Sequence, residues 1–182
     1  MPSSTHLTDH PTFDEPSTPS DRATPSPWVS VAVLVGFVLV AQLAGLIGLP
    51  ITDRAIGGWY DGLDKPAFNP PGWVFGPVWT ALYALIGVAA WRIWRQRADA
   101  DREGALSWWA IQLVLNAAWT PLFFGARAPW VALIEIVVLW VAIVITTMRF
   151  RRIDTVAAVL MVPYLAWVSF ATVLNASIAW MN

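Results

Sequence analysis

The sequence predicts an all-α membrane protein, a bundle of five transmembrane helices with a proline- and aromatic-rich loop between helices 1 and 2. Three observations lead there. Of 182 residues, 57% are hydrophobic and 13% charged, against about 25% charged in soluble domains. The charges fall into narrow bands that leave five runs almost free of them. Each run is near the roughly 20 residues needed to cross about 30 Å of hydrocarbon. Strands of a membrane barrel would show short alternating segments instead.

Residues 1–27 come first and differ in kind. They are rich in Pro, Ser, Thr and Asp and nearly free of aliphatic residues, so they read as a disordered tail that cannot offset the cost of chain ordering. The tail lacks the basic start and apolar stretch of a secretory signal. His6 and His10 lie within it and read as solvated rather than as a metal site.

The membrane domain spans 28–182. The first helix, over 28–49, carries no charge. The second, over 73–97, is uncharged until Arg92 and Arg95, which can snorkel at its end. The third covers 105–126. The fourth, over 129–149, holds one acid, Glu135, and the fifth, over 154–181, is uncharged beyond its start. Short connectors predict that sequence neighbours pack antiparallel and adjacent. Eight basic residues fall on the side of the N-terminus (Arg22, Arg92, Arg95, Arg97, Arg102, Arg149, Arg151, Arg152) and three on the other (Arg54, Lys65, Arg127). That asymmetry predicts a cytoplasmic N-terminus and an outer C-terminus in a cell membrane.

The connector WYDGLDKPAFNPPGWVFGPVW, over 59–79, holds four prolines and six aromatic rings. Proline fixes φ and restricts the residue before it, so this loop is stiff. Trp59, Tyr60, Lys65, Pro66, Pro70, Pro71 and Trp73 are expected to form a lid over a cavity at the bundle mouth. The alternative is an interfacial aromatic belt, which does not require the prolines.

Three helices carry internal stripes. Phe75, Trp79 and Tyr83 share one face of the second helix. Gln112, Asn116, Trp119 and Phe123 do so on the third, and Tyr164, Trp167, Ala171 and Asn175 on the fifth. Amides in hydrocarbon must find partners, which turns them inward. Converging aromatic walls with a few donors and acceptors suit a flat, largely apolar ligand. Polar glue between helices is the other reading. Glu135 is an intramembrane acid, hence a functional position by default, although a structural hydrogen bond to a tryptophan N–H or to Arg127 accounts for it more simply.

Other chemistry is sparse. There is no cysteine, and the net charge of −1 gives no case for a nucleic-acid partner. Phosphate loops, nucleophile elbows and metal-ligand clusters are missing from the membrane region. A haem iron would find only Met or Tyr there, so a tetrapyrrole would be held by stacking and hydrogen bonds.

WYDGLDKPAFNPPGWVFGPVWTALY, LNAAWTPLFFGAR and PYLAWVSFATVLN resemble the TspO/MBR family, the tryptophan-rich sensory proteins and mitochondrial translocator proteins. The resemblance covers about residues 28–182 and implies a five-helix homodimer in the membrane, in contact with lipid, that binds porphyrins or other hydrophobic small molecules under its first loop. No cofactor is implied beyond porphyrin as a ligand. It implies a pocket lined by Trp79 (of GPVW), Asn116 (of LNAAW), Trp167 (of PYLAW) and Ala171. The stripes add Phe75, Tyr83 and Trp119. Some bacterial members are reported to degrade protoporphyrin in light, which makes Trp79 and Trp167 the catalytic candidates. The function classes are therefore a receptor or transporter-like binder, a porphyrin-degrading enzyme, and a regulatory membrane partner. Animal members follow VLN with tyrosine and arginine to complete a proposed cholesterol motif; Ala176 and Ser177 stand here instead, so that motif is incomplete.

Overall fold

The computed structural model describes residues 26–97 and 99–182. The expected tail, with His6 and His10, lies outside the described residues except for Ser26 and Pro27. Helix α1 runs Pro27–Leu46, with Ser26 capping Val29 N–H and Pro27 in the first turn, where no N–H is needed. The expected single helix over 28–49 then breaks, and a short α2 follows at Leu49–Ala55. Two residues cause the break. Pro50 has no N–H to continue the ladder, and Gly48 lies so close to Thr120 that an added Cβ would sit 2.7 Å from its Cγ2.

A tight turn at Gly72–Val74 leads into α3, Phe75–Arg95. Helix α4 is Arg102–Thr120, and the chain widens into one π-type turn over Pro121–Gly125, closed by Ala126 N–H donating to the Pro121 carbonyl at 2.8 Å. Pro121 explains why the regular helix stops before the expected 126. Helix α5, Pro129–Ile153, runs past the expected 149 with Arg151 and Arg152 in its last turn, where cations complement the helix dipole. Helix α6 is Thr155–Met181 and is capped by Asp154.

The long helices close into a ring in the order α1, α3, α6, α5, α4. Sequence neighbours α3 and α4 touch only narrowly, against expectation, because α3 spends its faces on α1 and α6. Trp109 nevertheless bridges them, its indole N–H donating to the Ile86 carbonyl at 3.2 Å. α1 and α3 approach closely at Gly87, where an added Cβ would lie 2.6 Å from Val38 Cα.

The four stretches Pro27–Ala55, Gly72–Arg95, Pro129–Ile153 and Thr155–Met181 are long and apolar enough to cross a membrane. α4 is not one of them, since it opens on Arg102 and Glu103 and carries Gln112 and Asn116. No strand occurs among the described residues. One apolar core fills the bundle around Ile86, Ile143, Met161 and Tyr164. A smaller one, Phe123, Ala132, Leu174 and Ile178, sits under Trp59, Tyr60 and Leu63 of the loop. The space between these cores holds the site.

Candidate ligand-binding cavity

A cavity of about 380 Å³ lies inside the ring beneath the connector, within the usual range of small-molecule sites. α3 supplies Phe75, Trp79 and Tyr83; α4 supplies Asn116 and Trp119; α6 supplies Trp167 and Ala171. All seven expected wall residues therefore border one space. Their rings are ordered against one another: Trp79 stacks on Tyr83 at 5.2 Å, and Phe75 meets Trp167 edge-on at 5.8 Å. Trp119 stacks on Phe123 at 4.9 Å.

Polar groups are placed sparingly. Asn116 accepts from the Tyr83 hydroxyl and donates to the Tyr164 hydroxyl at 3.1 Å, tying α3, α4 and α6 together. Asn175 accepts from the Trp119 indole at 3.0 Å and donates to the Pro129 carbonyl at 2.9 Å. These amides hold helices together and also line the cavity, so the two sequence readings describe the same residues. Trp167 differs, because its buried indole N–H has no hydrogen-bond partner. No charged side chain borders the cavity among the described residues.

The connector forms the roof with only part of the expected set. Tyr60, Asn69 and Pro70 border the cavity, and the Tyr60 hydroxyl hydrogen-bonds the Asn69 Oδ1 at 3.3 Å. Burial pushes the Tyr60 phenol above its ordinary pKa, opposed by that bond. Lys65 lies over the Tyr60 ring and donates to the Asp61 and Leu63 carbonyls. Trp59 packs edge-on against Phe123, and the Pro66 carbonyl accepts from Asn69 N–H at 2.9 Å. Pro71 precedes the tight turn, whereas Trp73 points outward, 76% exposed, away from the cavity.

Gln112 is turned inward as expected, fully buried, and donates to the Trp109 carbonyl of its own helix at 2.9 Å, outside the wall. Tyr164 stands behind Trp79 rather than in the wall. The structural hydrogen bond expected for Glu135 is not formed: both carboxylate oxygens are buried without a partner. Glu135 does not line the cavity, although Ile136 and Leu139 of the same helix do. The sequence stripes missed α1 and α2 altogether, which bring Gln42, Gly45, Leu46, Gly48, Leu49 and Thr52 to the wall. The Gly48–Leu49–Pro50 stretch was the available signal, since glycine before proline marks a break that can turn backbone toward a neighbour.

The profile of the TspO/MBR family matches residues 37–181. The "Tryptophan-rich protein TspO" of Chlorobaculum tepidum is 37% identical over 158 residues, 85% of this chain and 96% of that protein. The "Translocator protein" of Bos taurus is 38% identical over 151 residues, covering 82% and 88%. The "Tryptophan-rich sensory protein" of Cereibacter sphaeroides is 44% identical over 132 residues, covering 70% and 81%.

Proposed function

The chain belongs to the TspO/MBR family of membrane proteins, and on that premise we propose that it is a receptor or transporter-like protein for porphyrins and similar flat hydrophobic molecules. The observation that carries this reading is the cavity wall itself, with Phe75, Trp79, Tyr83, Trp119 and Trp167 around one space and an unpartnered Trp167 N–H among them. Aromatic faces stack on a flat macrocycle, and a few polar groups in the wall, Asn116 and Asn175 among them, can fix its orientation. A wall without charges cannot hold carboxylates, so the acidic edge of a porphyrin is directed to the roof, where Lys65 lies. Saturable binding of protoporphyrin without turnover is the expected result.

The enzymatic alternative rests on the edge-to-face pair Trp79 and Trp167, 6.5 Å apart in the same wall. Breakdown products forming steadily under light and oxygen, and lost in Trp79→Leu, would favour it over a receptor.

The same reading makes all five long helices membrane spans, with α4 completing the ring between α5 and α1. It sets the N-terminus in the cytoplasm and the C-terminus outside a bacterial cell membrane, from the arginine asymmetry. Reporters fused after Ala100 and after Asn182 should lie on opposite sides, the first cytoplasmic; the same side for both would contradict it. The family's homodimer belongs to this proposal too, and cross-linking in native membranes tests it.

A further inference from the structure

We propose that the cavity is loaded from the hydrocarbon through a port between the α1–α2 break and the first half of α3, and that Gln42 closes this port. The proposal rests on the function above and adds the route and the residue. Leu46, Leu49 and Ile56 border the cavity yet are 52%, 51% and 49% exposed. Gly76 and Thr80 on the facing edge of α3 are likewise both lining and exposed. Residues that face the cavity and the outside at once mark a wall one side chain thick. Around the rest of the cavity the lining is buried, as at Tyr83, Asn116, Phe123 and Val168, or half-buried, as at Trp79 and Trp167, with Gly72 of the roof the one other exposed position.

The fold explains the thin wall. α1 and α3 are in close contact at Val38 and Gly87, and Gly45 is pressed against the Tyr83 ring. Beyond Leu46 the chain breaks, and Gly48 seats it on Thr120 of α4, away from α3. Across the resulting seam runs one side-chain hydrogen bond, Gln42 Nε2 donating to the Thr80 carbonyl at 2.9 Å. The Thr80 hydroxyl does not reach over, since it donates to the Gly76 carbonyl of its own helix at 2.9 Å. An amide in a membrane span is costly unless it bonds. Gln42 also lines the cavity, so its amide can exchange the Thr80 carbonyl for a polar atom of a passing ligand.

The roof is tied more firmly. Asn182 accepts from Asp64 N–H at 3.0 Å and donates to the Asp64 carbonyl at 3.1 Å. Phe68 rests on Phe170 and Trp59 on Phe123. Two reciprocal bonds and aromatic contacts on both flanks hold the top, against a single bond at the side.

The test uses the full chain in phosphatidylcholine vesicles, with protoporphyrin as probe and exchange followed by tryptophan fluorescence. Because the protein has no cysteine, two pairs can be introduced cleanly and bridged with a short thiol reagent: Gln42→Cys/Thr80→Cys across the port and Asp64→Cys/Asn182→Cys across the roof. Bridging the port should slow association and dissociation about tenfold or more, as expected for a gated route, while bridging the roof leaves both near parental values. Gln42→Leu, unbridged, should speed both about threefold, the scale of one lost hydrogen bond. A binding protein whose rates ignore the port bridge, or respond to the roof bridge instead, overturns the port alone. A parent that binds no protoporphyrin overturns the proposed function and the port with it.

Discussion

Trp119 and Asn175 are joined across the cavity wall, indole N–H to Oδ1 at 3.0 Å, linking α4 to α6. The same amide also holds the Pro129 carbonyl at the start of α5. Asn175 is only 2% exposed, so its hydrogen bonds are shielded from bulk water. Asn175→Ala is expected to leave a donor and an acceptor unpaired and to cost about 1–3 kcal/mol. Trp119→Phe, which removes the donor as well as its need, should cost less. Thermal unfolding in detergent measures both, and an unchanged melting temperature for Asn175→Ala would refute the tie.

Asp154 predicts a pH dependence at the opposite end. Burial alone would raise its pKa, but the Ala157 N–H and the Arg92 guanidinium, 3.0 and 2.8 Å from its oxygens, hold it below the ordinary value. A carboxyl with a lowered folded-state pKa stabilises fully above its unfolded value of about 3.9 and loses that contribution as pH falls through the folded-state value. Asp154→Ala should therefore cost about 1–2 kcal/mol at neutral pH through the lost cap. The gap to the parent should close in strong acid. A gap that persists there would contradict the assignment.

Pro70 and Pro71 bear on the roof. Pro70 borders the cavity and Pro71 leads into the turn before α3. Replacing both with Ala frees the loop by about 1–2 kcal/mol of chain entropy. The expected outcome is faster porphyrin dissociation through a leaking roof with the melting temperature nearly intact. Parental dissociation with intact melting would mean that the connector is only an interfacial belt.

Much of this arrangement was legible in the sequence because helices impose a period. Phe75, Trp79 and Tyr83 recur every fourth residue, so they had to share a face, and all three reach the cavity. Asn116 and Asn175 could be turned inward on energetic grounds alone. What period cannot give is the depth of a residue behind its neighbours: Gln112 and Tyr164 share stripes with wall residues, yet both lie behind the wall. Nor does it reveal breaks. The α1–α2 break depends on Gly48 meeting Thr120, a contact between distant residues, and with it went Gln42 and the thin side of the cavity. Glu135 was assigned a partner by rule, but partners are set by how helices rotate against each other, and none meets it here.

Titration of the vesicle-reconstituted protein with protoporphyrin, read by quenching of tryptophan fluorescence, tests the central claim that this cavity is the ligand site. The parent should quench saturably. Trp79→Leu/Trp167→Leu, which removes two rings that meet at 6.5 Å in the wall, should lose most of that quenching and bind a few-fold to a hundred-fold more weakly, about 1–3 kcal/mol. A folded double variant that binds with parental affinity would contradict the claim.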